Sequence, residues 1–178
     1  LTLIDPGRFW YSGLATGMLA GQYSPQSDQI DPAKLIQKAG GEFIRGKLTH
    51  LDTNRRTAIL DNGHQLAYDA ISLNIGSTAA QNIPGMSEHA WTVKPITNLW
   101  HLHQHLTGTF KRLGSKPLKV AVIGAGPTGC ELAACINSLA CRQNAKARVT
   151  LIGKHDRVLP NQPCRASRKM TKALAGRN

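Results

Sequence analysis

The sequence has few aromatic residues, few acidic residues and no long apolar run. Aromatic side chains account for 5% of the 178 residues, too few for the stacking platforms that bind single-stranded nucleic acid. No apolar stretch approaches the roughly 20 residues that a membrane-spanning helix requires, and no signal peptide is recognisable. We therefore expect no transmembrane segment and no nucleic-acid partner.

Cysteine occurs without any pattern that would give it a redox or metal-binding role. Cys130, Cys135, Cys141 and Cys164 form no CxxC pair and show no metal-ligand spacing. Cys130 and Cys135 lie five residues apart on a predicted helix, so they point roughly 140° away from each other and are badly placed for a disulfide. We interpret them as small helix residues packed on a sheet, and the predicted compartment is cytoplasmic.

Two further kinds of catalytic site find no support. A Ser-His-Asp hydrolase needs a nucleophile elbow such as GxSxG, which does not occur. The ten acidic residues are scattered singly, so no general acid–base pair stands out. His101, His103 and His105 resemble a metal cluster, but only His101 and His105 share a helical face. Without an acidic or cysteine partner nearby, they are predicted to be exposed helix histidines, and no metal site is expected.

The charge balance is strongly basic. The 22 basic and 10 acidic residues give a formal net charge of +12, which suits nucleic acid, an anionic membrane or a phosphate-rich ligand as partner. The simplest interpretation remains a soluble surface. The densest basic patch is predicted to be the solvated face of a helix; it consists of Arg165, Arg168, Lys169, Lys172 and Arg177.

Apolar patterning and turn residues predict alternating strands and helices. The first strand ends at Asp5. A later helix begins after Asp31, a residue suited to the N-cap, and ends at Gly40-Gly41. Turn sequences then separate three antiparallel strands of a small meander. Before residue 114 the predicted strands are 1–4, 43–52, 57–60, 65–68 and 70–75, and the other predicted helices are 13–19 and 99–113. The last helix has a predicted apolar stripe, which consists of Leu99, Leu102, Leu106, Phe110 and Leu113.

The stretch 114–117, Gly-Ser-Lys-Pro, is the clearest domain boundary. Beyond it the pattern predicts strand 118–123, a glycine turn, helix 130–141, strand 148–152 and a basic helix. The order β-α-β-α implies a parallel sheet and therefore an α/β fold.

The strongest motif is the glycine turn, which reads Gly-Ala-Gly-Pro-Thr-Gly over 124–129. It follows an apolar strand and opens a helix, which is the context that supports a dinucleotide-binding GxGxxG. Gly124 permits the tight turn, Gly126 lets the backbone approach a pyrophosphate, and Gly129 lets the helix pack closely on the strand. Pro127 and Thr128 begin the helix, whose N-terminus favours the anion.

The strand that follows the glycine turn lacks the usual acidic residue at its end. An Asp or Glu at this place accepts from the ribose hydroxyls of NAD, but here the strand ends in Gly153, and Asp156 comes three residues late. Lys154, His155 and Arg157 are suited to the 2′-phosphate of NADP instead. The alternative is that they are loop charges in contact with water; we favour NADPH or mixed specificity.

One strand is written twice in the sequence. Leu-Thr-Leu-Ile at 1–4 precedes Asp5, and Val-Thr-Leu-Ile at 149–152 precedes Gly153. If the second copy is strand two of a nucleotide-binding fold, the first copy occupies the same place in another, and its own strand one and glycine turn lie upstream of Leu1. Asp5 is then suited to the ribose of a second dinucleotide, the alternative being a surface aspartate at a strand end.

The order of these elements resembles the FAD-dependent pyridine nucleotide–disulfide oxidoreductase superfamily, in which an NAD(P)H domain is inserted into an FAD domain. Glu131, two residues after the last motif glycine, is typical of the NAD(P)H half. Within the superfamily the chain looks most like type II NADH dehydrogenase-like proteins. Disulfide reductases of this superfamily carry their redox cysteines soon after the first ribose acid, and the matching stretch 6–24 holds no cysteine.

The resemblance implies two Rossmann-like, doubly wound parallel-sheet domains, both incomplete, with the meander in the first. Residues 1–114 would be a partial FAD-binding domain without its first strand and glycine motif, and 115–178 the N-terminal half of the NAD(P)H-binding domain. The implied FAD contacts are Asp5 at the adenine ribose, Lys47 and Leu48 at adenine, Gly76 and Ser77 at the phosphates, and Ser12, Gly13 and Lys94 near the flavin ring. The implied NAD(P)H contacts are Gly124, Gly126, Gly129 and Glu131, together with Pro127, Thr128, Lys154 and Arg157.

The implied function is an oxidoreductase that takes a hydride from NAD(P)H onto FAD and passes electrons to a small-molecule acceptor such as a quinone. No catalytic side chain is assigned. Peripheral membrane contact of the parent protein is compatible with this function, and the 178-residue chain alone is expected to bind FAD weakly and to be inactive. The alternative is a non-catalytic nucleotide-sensing or nucleic-acid-binding module that uses the positive charge.

Overall fold

The computed structural model describes residues 1–79 and 83–176, so Arg177 of the basic patch lies outside the described residues. The elements in chain order are β1 (Thr2–Asp5), β2 (Phe9–Trp10), α1 (Ser12–Leu19), β3 (Gln29–Ile30), α2 (Pro32–Lys38), β4 (Glu42–Arg45), β5 (Leu48–Asp52), β6 (Thr57–Leu60), β7 (Gln65–Ala67), α3 (Met86–His89), α4 (Thr97–Leu113), β8 (Leu118–Ile123), α5 (Pro127–Arg142), β9 (Ala147–Ile152) and α6 (Cys164–Ala175).

The chain forms two compact units. The first contains Leu1–Tyr11 and Gln29–Thr78, and the second contains Ser12–Asp28 together with the residues from Ala79 onward. These units do not coincide with the domain boundary predicted at residue 114, because α1 packs on α4 and α5. The assignment of 1–114 and 115–178 to two cofactor domains remains a prediction.

The first unit joins a parallel strand pair to an antiparallel meander. β1 pairs in parallel with β4, and α2 packs on both strands. Asp31 caps α2 as predicted, since its Oδ1 accepts from the backbone N–H groups of Ala33 at 3.1 Å and Lys34 at 3.3 Å. The meander β5-β6-β7 is antiparallel throughout and buries Ala58 and Leu60 of its central strand.

The predicted single strand over 43–52 is wrong, because the chain changes sheets at Gly46. β4 before this residue pairs with β1, and β5 after it pairs with β6. The backbone lies so close to the meander here that a Cβ on Gly46 would approach Leu60 Cδ1 to 2.8 Å. The Lys47 N–H donates to Asp61 Oδ1 at 3.0 Å, which fixes the crossing.

The predicted strand over 70–75 is also wrong. Residues 71–79 have no regular structure, and the alternating side chains of Ile71, Leu73 and Ile75 are 39%, 52% and 79% exposed. A strand needs a neighbour to bond its backbone, and none of the strands in the described residues pairs with this segment. The segment therefore has the alternating apolar residues of a strand, but these side chains are not buried.

The second unit carries the predicted βαβ arrangement. β8 and β9 pair in parallel and in register from Leu118 opposite Ala147 to Ile123 opposite Ile152. α5 packs on β9 and begins at Pro127, three residues before the predicted start at Cys130, because proline suits the first turn of a helix. α1 packs on both α4 and α5. The buried apolar side chains of α4 are four of the five in the predicted stripe, Leu99, Leu102, Leu106 and Phe110, whereas Leu113 is half-buried.

The prediction of three exposed histidines fails at one position. His103 is half-buried; its Nδ1 lies 3.0 Å from the carbonyl oxygen of Leu19, and its ring stacks on Trp100. This contact ties α4 to the end of α1. Over 1–79 and 83–176, no group of three His, Cys, Asp or Glu side chains is placed to hold a metal ion. Nor does that part of the chain contain a helix long and apolar enough to cross a membrane.

Asp28 is fully buried in the second unit, and neither carboxyl oxygen has a hydrogen-bond partner in the described part of the chain. Burial raises the pKa of this carboxyl above its ordinary value. The folded state therefore holds the proton more tightly than the unfolded state, and Asp28 lowers the free energy of unfolding as pH rises from about 3.9 through the folded pKa.

We expect Asp28→Asn to be more stable than the wild type at pH 7 by about 1 kcal/mol, since it removes an unpaired buried charge. The difference should shrink as pH falls towards 4. Thermal unfolding followed by circular dichroism at several pH values measures it, and Asp69→Asn, at an exposed position, controls for the lost charge. A destabilised Asp28→Asn would show that this carboxylate has a stabilising partner.

Candidate functional site

Two close backbone contacts, one at Gly124 and one at Gly129, shape the glycine turn between β8 and α5. Gly124 adopts φ 113°, which side-chain-bearing residues rarely reach, and its N–H donates to the Ile152 carbonyl at 2.7 Å. A Cβ on Gly129 would lie 1.7 Å from the Gly124 carbonyl oxygen. The helix can therefore approach the turn this closely only because residue 129 is glycine.

Gly126 faces open space, in contrast to Gly129. No atom lies within 4 Å of the position that its Cβ would take. Gly126 is the N-cap of α5 and offers no side-chain cap. The Cys130 N–H donates to the Gly126 carbonyl at 3.1 Å, and the N–H groups of Thr128 and Gly129 lie in the helical turn before it. An uncapped helix N-terminus next to open space fits the pyrophosphate of a dinucleotide.

The loop after β9 folds back onto the glycine turn. The Leu159 N–H donates to the Ala125 carbonyl at 2.7 Å, and Leu159 is buried in spite of its φ of 52°. The Arg157 guanidinium donates to the Pro160 carbonyl and lies 3.5 Å from Cys164 Sγ at the start of α6. Arg157 therefore braces the loop, a role that sequence patterning did not indicate.

Position 153, where the ribose-binding acid is missing, lies in close contact with the glycine turn. A Cβ on Gly153 would lie 2.6 Å from the Ala125 Cβ, and Ala125 cannot turn this methyl group away because it is fixed to the backbone. An acidic residue at 153 would therefore collide with the turn. This explains in physical terms why glycine stands at the end of β9 in this chain.

A cleft of about 790 Å³ opens beside Ala125 and Gly153 and extends between the loop after β9 and α6. Its size is in the range of small-ligand sites. Arg157, Arg168 and Lys172 contribute to its lining, whereas Lys154 is exposed and does not. Arg168 and Lys172 were interpreted from the sequence as part of a solvated helix face. Their spacing of four residues was the available signal, but it does not reveal what the helix faces.

Cys130 is buried beneath the glycine turn and is a poor candidate for thiol chemistry. Its Sγ lies 3.8 Å from the Ala125 carbonyl oxygen. Burial, and secondarily the negative charge of the exposed Glu131, raise the pKa of the Cys130 thiol. The thiolate, which is the nucleophilic form, is thereby disfavoured. This agrees with the interpretation of Cys130 as a packing residue.

In the first unit, Asp5 lies at the carboxyl end of β1, directly opposite Arg45 of β4. Its Oδ1 accepts from the Gly7 N–H at 2.8 Å, which orients the carboxylate and leaves Oδ2 for a second partner. The carboxyl ends of parallel strands are where dinucleotides bind in this class of fold. Asp5 is therefore in a suitable place for a ribose.

The predicted adenine contacts at Lys47 and Leu48 follow the sheet crossing. The Lys47 N–H is bonded to Asp61 Oδ1, and its carbonyl oxygen accepts from the Asp61 N–H at 2.9 Å. A carbonyl oxygen has two lone pairs, so one remains for a ligand, whereas the N–H does not. Leu48 begins β5 and pairs with Leu60.

The remaining predicted FAD residues lie at scattered places in the chain. Gly76, with φ 75°, and Ser77 fall in the irregular segment 71–79 of the first unit. Ser12 and Gly13 are exposed at the start of α1, and Lys94 is exposed ahead of α4; all three belong to the second unit. Their roles near FAD remain predictions.

Residues 2–178 match the family described as pyridine nucleotide-disulphide oxidoreductase. The chain belongs to this family. Membership confirms the superfamily and the α/β fold class expected from the sequence, and it supports FAD and NAD(P)H as the cofactors. The glycine turn with its open helix N-terminus fits the second of these cofactors.

Individual members show how much of the family's architecture the chain contains. It is 28% identical over 177 residues to Oxidoreductase ptaL of Pestalotiopsis fici, covering 96% of this chain and 44% of that protein. It is 28% identical over 171 residues to the Type II NADH:quinone oxidoreductase Ndh of Mycobacterium tuberculosis, covering 83% and 36%. The chain therefore spans less than half the length of either relative.

A solved structure supports the fold. The sulfide:quinone oxidoreductase of the hyperthermophilic bacterium Aquifex aeolicus superposes with a TM-score of 0.80 at 17% identity, over 99% of this chain and 43% of that chain. At this identity the likeness concerns the fold alone. Nearly all of the sequence therefore fits the fold of that enzyme.

Proposed function

We propose that this chain is part of a flavoprotein oxidoreductase that accepts a hydride from NAD(P)H and passes electrons through FAD to a small-molecule acceptor. The observation that carries the proposal is the glycine turn, where Gly126 leaves open space at an uncapped helix N-terminus. A turn that merely connected a strand to a helix would not need that space. Bound FAD would supply the capacity to take up two electrons and pass them on.

The chain's own residues hold and orient the two dinucleotides. Gly124, Gly126 and Gly129 would admit the NAD(P)H pyrophosphate, and the N–H groups of Thr128 and Gly129 would donate to it. Asp5, held by the Gly7 N–H at 2.8 Å, would accept from the hydroxyls of the FAD adenine ribose. No side chain needs to act as an acid or a base for the hydride step itself, because the cofactors carry that chemistry.

We propose a quinone as the acceptor, in a protein that contacts the membrane from the cytoplasmic side. The proposal is supported by the Mycobacterium tuberculosis relative, which is a type II NADH:quinone oxidoreductase. The segment 6–24 holds no cysteine, and the Cys130 thiol is buried with a raised pKa. Both features argue against a dithiol as the electron carrier. The basic surface is compatible with anionic lipid, and nucleic acid is not proposed as a partner.

The test is the visible absorption spectrum of the whole protein that contains this sequence, before and after anaerobic NADH or NADPH. We expect a flavin spectrum that bleaches with at least one nucleotide. Gly126→Ala should retain the flavin spectrum but bleach at least tenfold more slowly at low nucleotide concentration, because the added methyl group occupies the pyrophosphate approach. A colourless protein that takes up no added FAD would contradict the proposal and favour a non-catalytic nucleotide-binding module.

A further inference from the structure

The cleft beside the glycine turn begins where the adenosine ribose of a bound dinucleotide would lie. Ala125 of the turn and Gly153 at the end of β9 both line it. In this fold the pyrophosphate occupies the helix N-terminus and the adenosine ribose lies against the end of the second strand. Because residue 153 has no side chain, nothing from that position separates the ribose 2′ position from the cleft.

The lining of the cleft is cationic. Arg157, Arg168 and Lys172 contribute three positive charges, and Asp156 contributes the one carboxylate. Arg157 is already engaged with Pro160 and Cys164. Arg168 and Lys172 form no ion pair within 1–79 and 83–176. Like charges four residues apart destabilise a helix slightly. Arg168 and Lys172 therefore lower the stability of α6 a little, and an anionic ligand bound between them would offset this loss.

The second property of the cleft is its hydroxyl lining. Ser167 and Thr171 each directly precede one of the two cations on α6 and also line the cleft. Ser167 is only 4% exposed, and the Thr171 hydroxyl donates to the Ser167 carbonyl at 3.1 Å. A phosphate dianion only accepts hydrogen bonds, so the Thr171 hydroxyl would have to rotate out of this bond to donate to it. The two cations are therefore the principal groups that would bind a phosphate monoester here.

We propose that this cleft is the binding site for the 2′-phosphate of NADPH, with Arg168 and Lys172 of α6 as the residues that determine specificity. The inference rests on the proposed function, because it assumes a dinucleotide at the glycine turn. In this inference Arg168 and Lys172 replace Lys154, which does not line the cleft, as the principal phosphate contacts. Arg157 holds the loop in place and adds its charge.

The test compares two ligands that differ only in the 2′-phosphate, adenosine 2′,5′-bisphosphate and adenosine 5′-monophosphate, by isothermal titration calorimetry with the 178-residue chain. We expect the bisphosphate to bind at least tenfold more tightly. In the variant Arg168→Gln/Lys172→Gln this advantage should fall about tenfold or more, because two charge-assisted contacts are lost. Affinity for the monophosphate should stay within about twofold.

The matched control is Arg165→Gln/Lys169→Gln. It removes the same charge from the same helix at two exposed positions that do not line the cleft. Its advantage for the bisphosphate should remain near that of the wild type. Circular dichroism of both variants checks that α6 is retained, so that loss of binding is not confused with loss of the helix.

Each other outcome is decisive. Equal binding of the two ligands overturns the inference and leaves the proposed function standing. Binding of neither ligand by a folded chain overturns the inference, and the flavin spectrum of the whole protein then decides the proposed function separately. Equal losses in the test and control variants would indicate a general effect of charge and overturn the assignment to the cleft. Inorganic phosphate that competes as well as the bisphosphate would show a site for free phosphate, which also overturns it.

Discussion

Replacing Gly129 by alanine is expected to destabilise the second unit by about 3 kcal/mol or more and to abolish NAD(P)H binding. The new Cβ would lie 1.7 Å from the Gly124 carbonyl oxygen and 2.9 Å from its carbon. Both are backbone atoms of the turn, so no side-chain rotation relieves the overlap. Either α5 moves away from β8 or the turn opens, and both changes dismantle the pyrophosphate site.

Gly126→Ala is the informative counterpart, because it adds the same methyl group at a position where there is space for it. No atom lies within 4 Å of the new Cβ, and Gly126 has an ordinary φ of −79°. We expect its free energy of unfolding to stay within about 0.5 kcal/mol of the wild type. Its affinity for nucleotide should nevertheless fall, because the methyl group occupies the path of the pyrophosphate.

Urea unfolding and calorimetric binding of adenosine 5′-monophosphate and of NADPH together separate the two variants. The expected pattern is lost stability with lost binding for Gly129→Ala, and retained stability with weakened binding for Gly126→Ala. If Gly129→Ala were as stable as the wild type, the close approach of helix and turn would not exist in solution. If Gly126→Ala bound NADPH as tightly as the wild type, the ligand would not pass over this residue.

The parts of the fold that the sequence predicted are those with local signals. The stripe along α4, the Asp31 cap and the glycine turn each depend on residues close together in the chain. The β8–α5–β9 unit was predicted to within three residues at each boundary for the same reason. Periodicity and capping act within one element, so they can be recognised without knowledge of its neighbours.

The failures concern partners that are distant in the sequence. The break at Gly46 arises from Leu60, and the half-burial of His103 arises from Leu19. The segment 71–75 has the alternation of a buried strand but lacks a pairing strand among the described residues. Apolar alternation specifies which face a strand would bury, and only the tertiary structure specifies whether a neighbour is there to cover it.

The candidate site shows the same limit. The sequence predicted the glycine turn, showed that the acid is missing at Gly153, and favoured nearby cations as contacts for the 2′-phosphate of NADP. It did not predict that Ala125 excludes a side chain from position 153, or that α6 presents Arg168 and Lys172 to the cleft. The cleft depends on how the loop after β9 folds back, and the hydrogen bond from the Leu159 N–H to the Ala125 carbonyl holds that loop in place.

We therefore expect the chain to tolerate an acidic residue at position 153 only when the side chain of residue 125 is also removed. Gly153→Glu alone is expected to destabilise the second unit by about 1–3 kcal/mol, because its Cβ meets the Ala125 methyl group. Adding Ala125→Gly removes that methyl group and should restore most of the loss. The coupling energy of the pair, obtained from a double-mutant cycle of urea unfolding, should lie between about 0.5 and 3 kcal/mol.

The double variant should also change which nucleotide is preferred. A carboxylate at 153 accepts from the ribose hydroxyls of NADH and repels a 2′-phosphate, so we expect the ratio of NADPH to NADH affinity to fall at least tenfold. Gly153→Ala combined with Ala125→Gly is the control, since it adds the Cβ without the charge and should leave the ratio nearly unchanged. If Gly153→Glu alone were fully stable, Ala125 would not be the barrier. If the double variant kept the wild-type preference, the ribose would lie elsewhere, and the end of β9 would have no part in recognising the nucleotide.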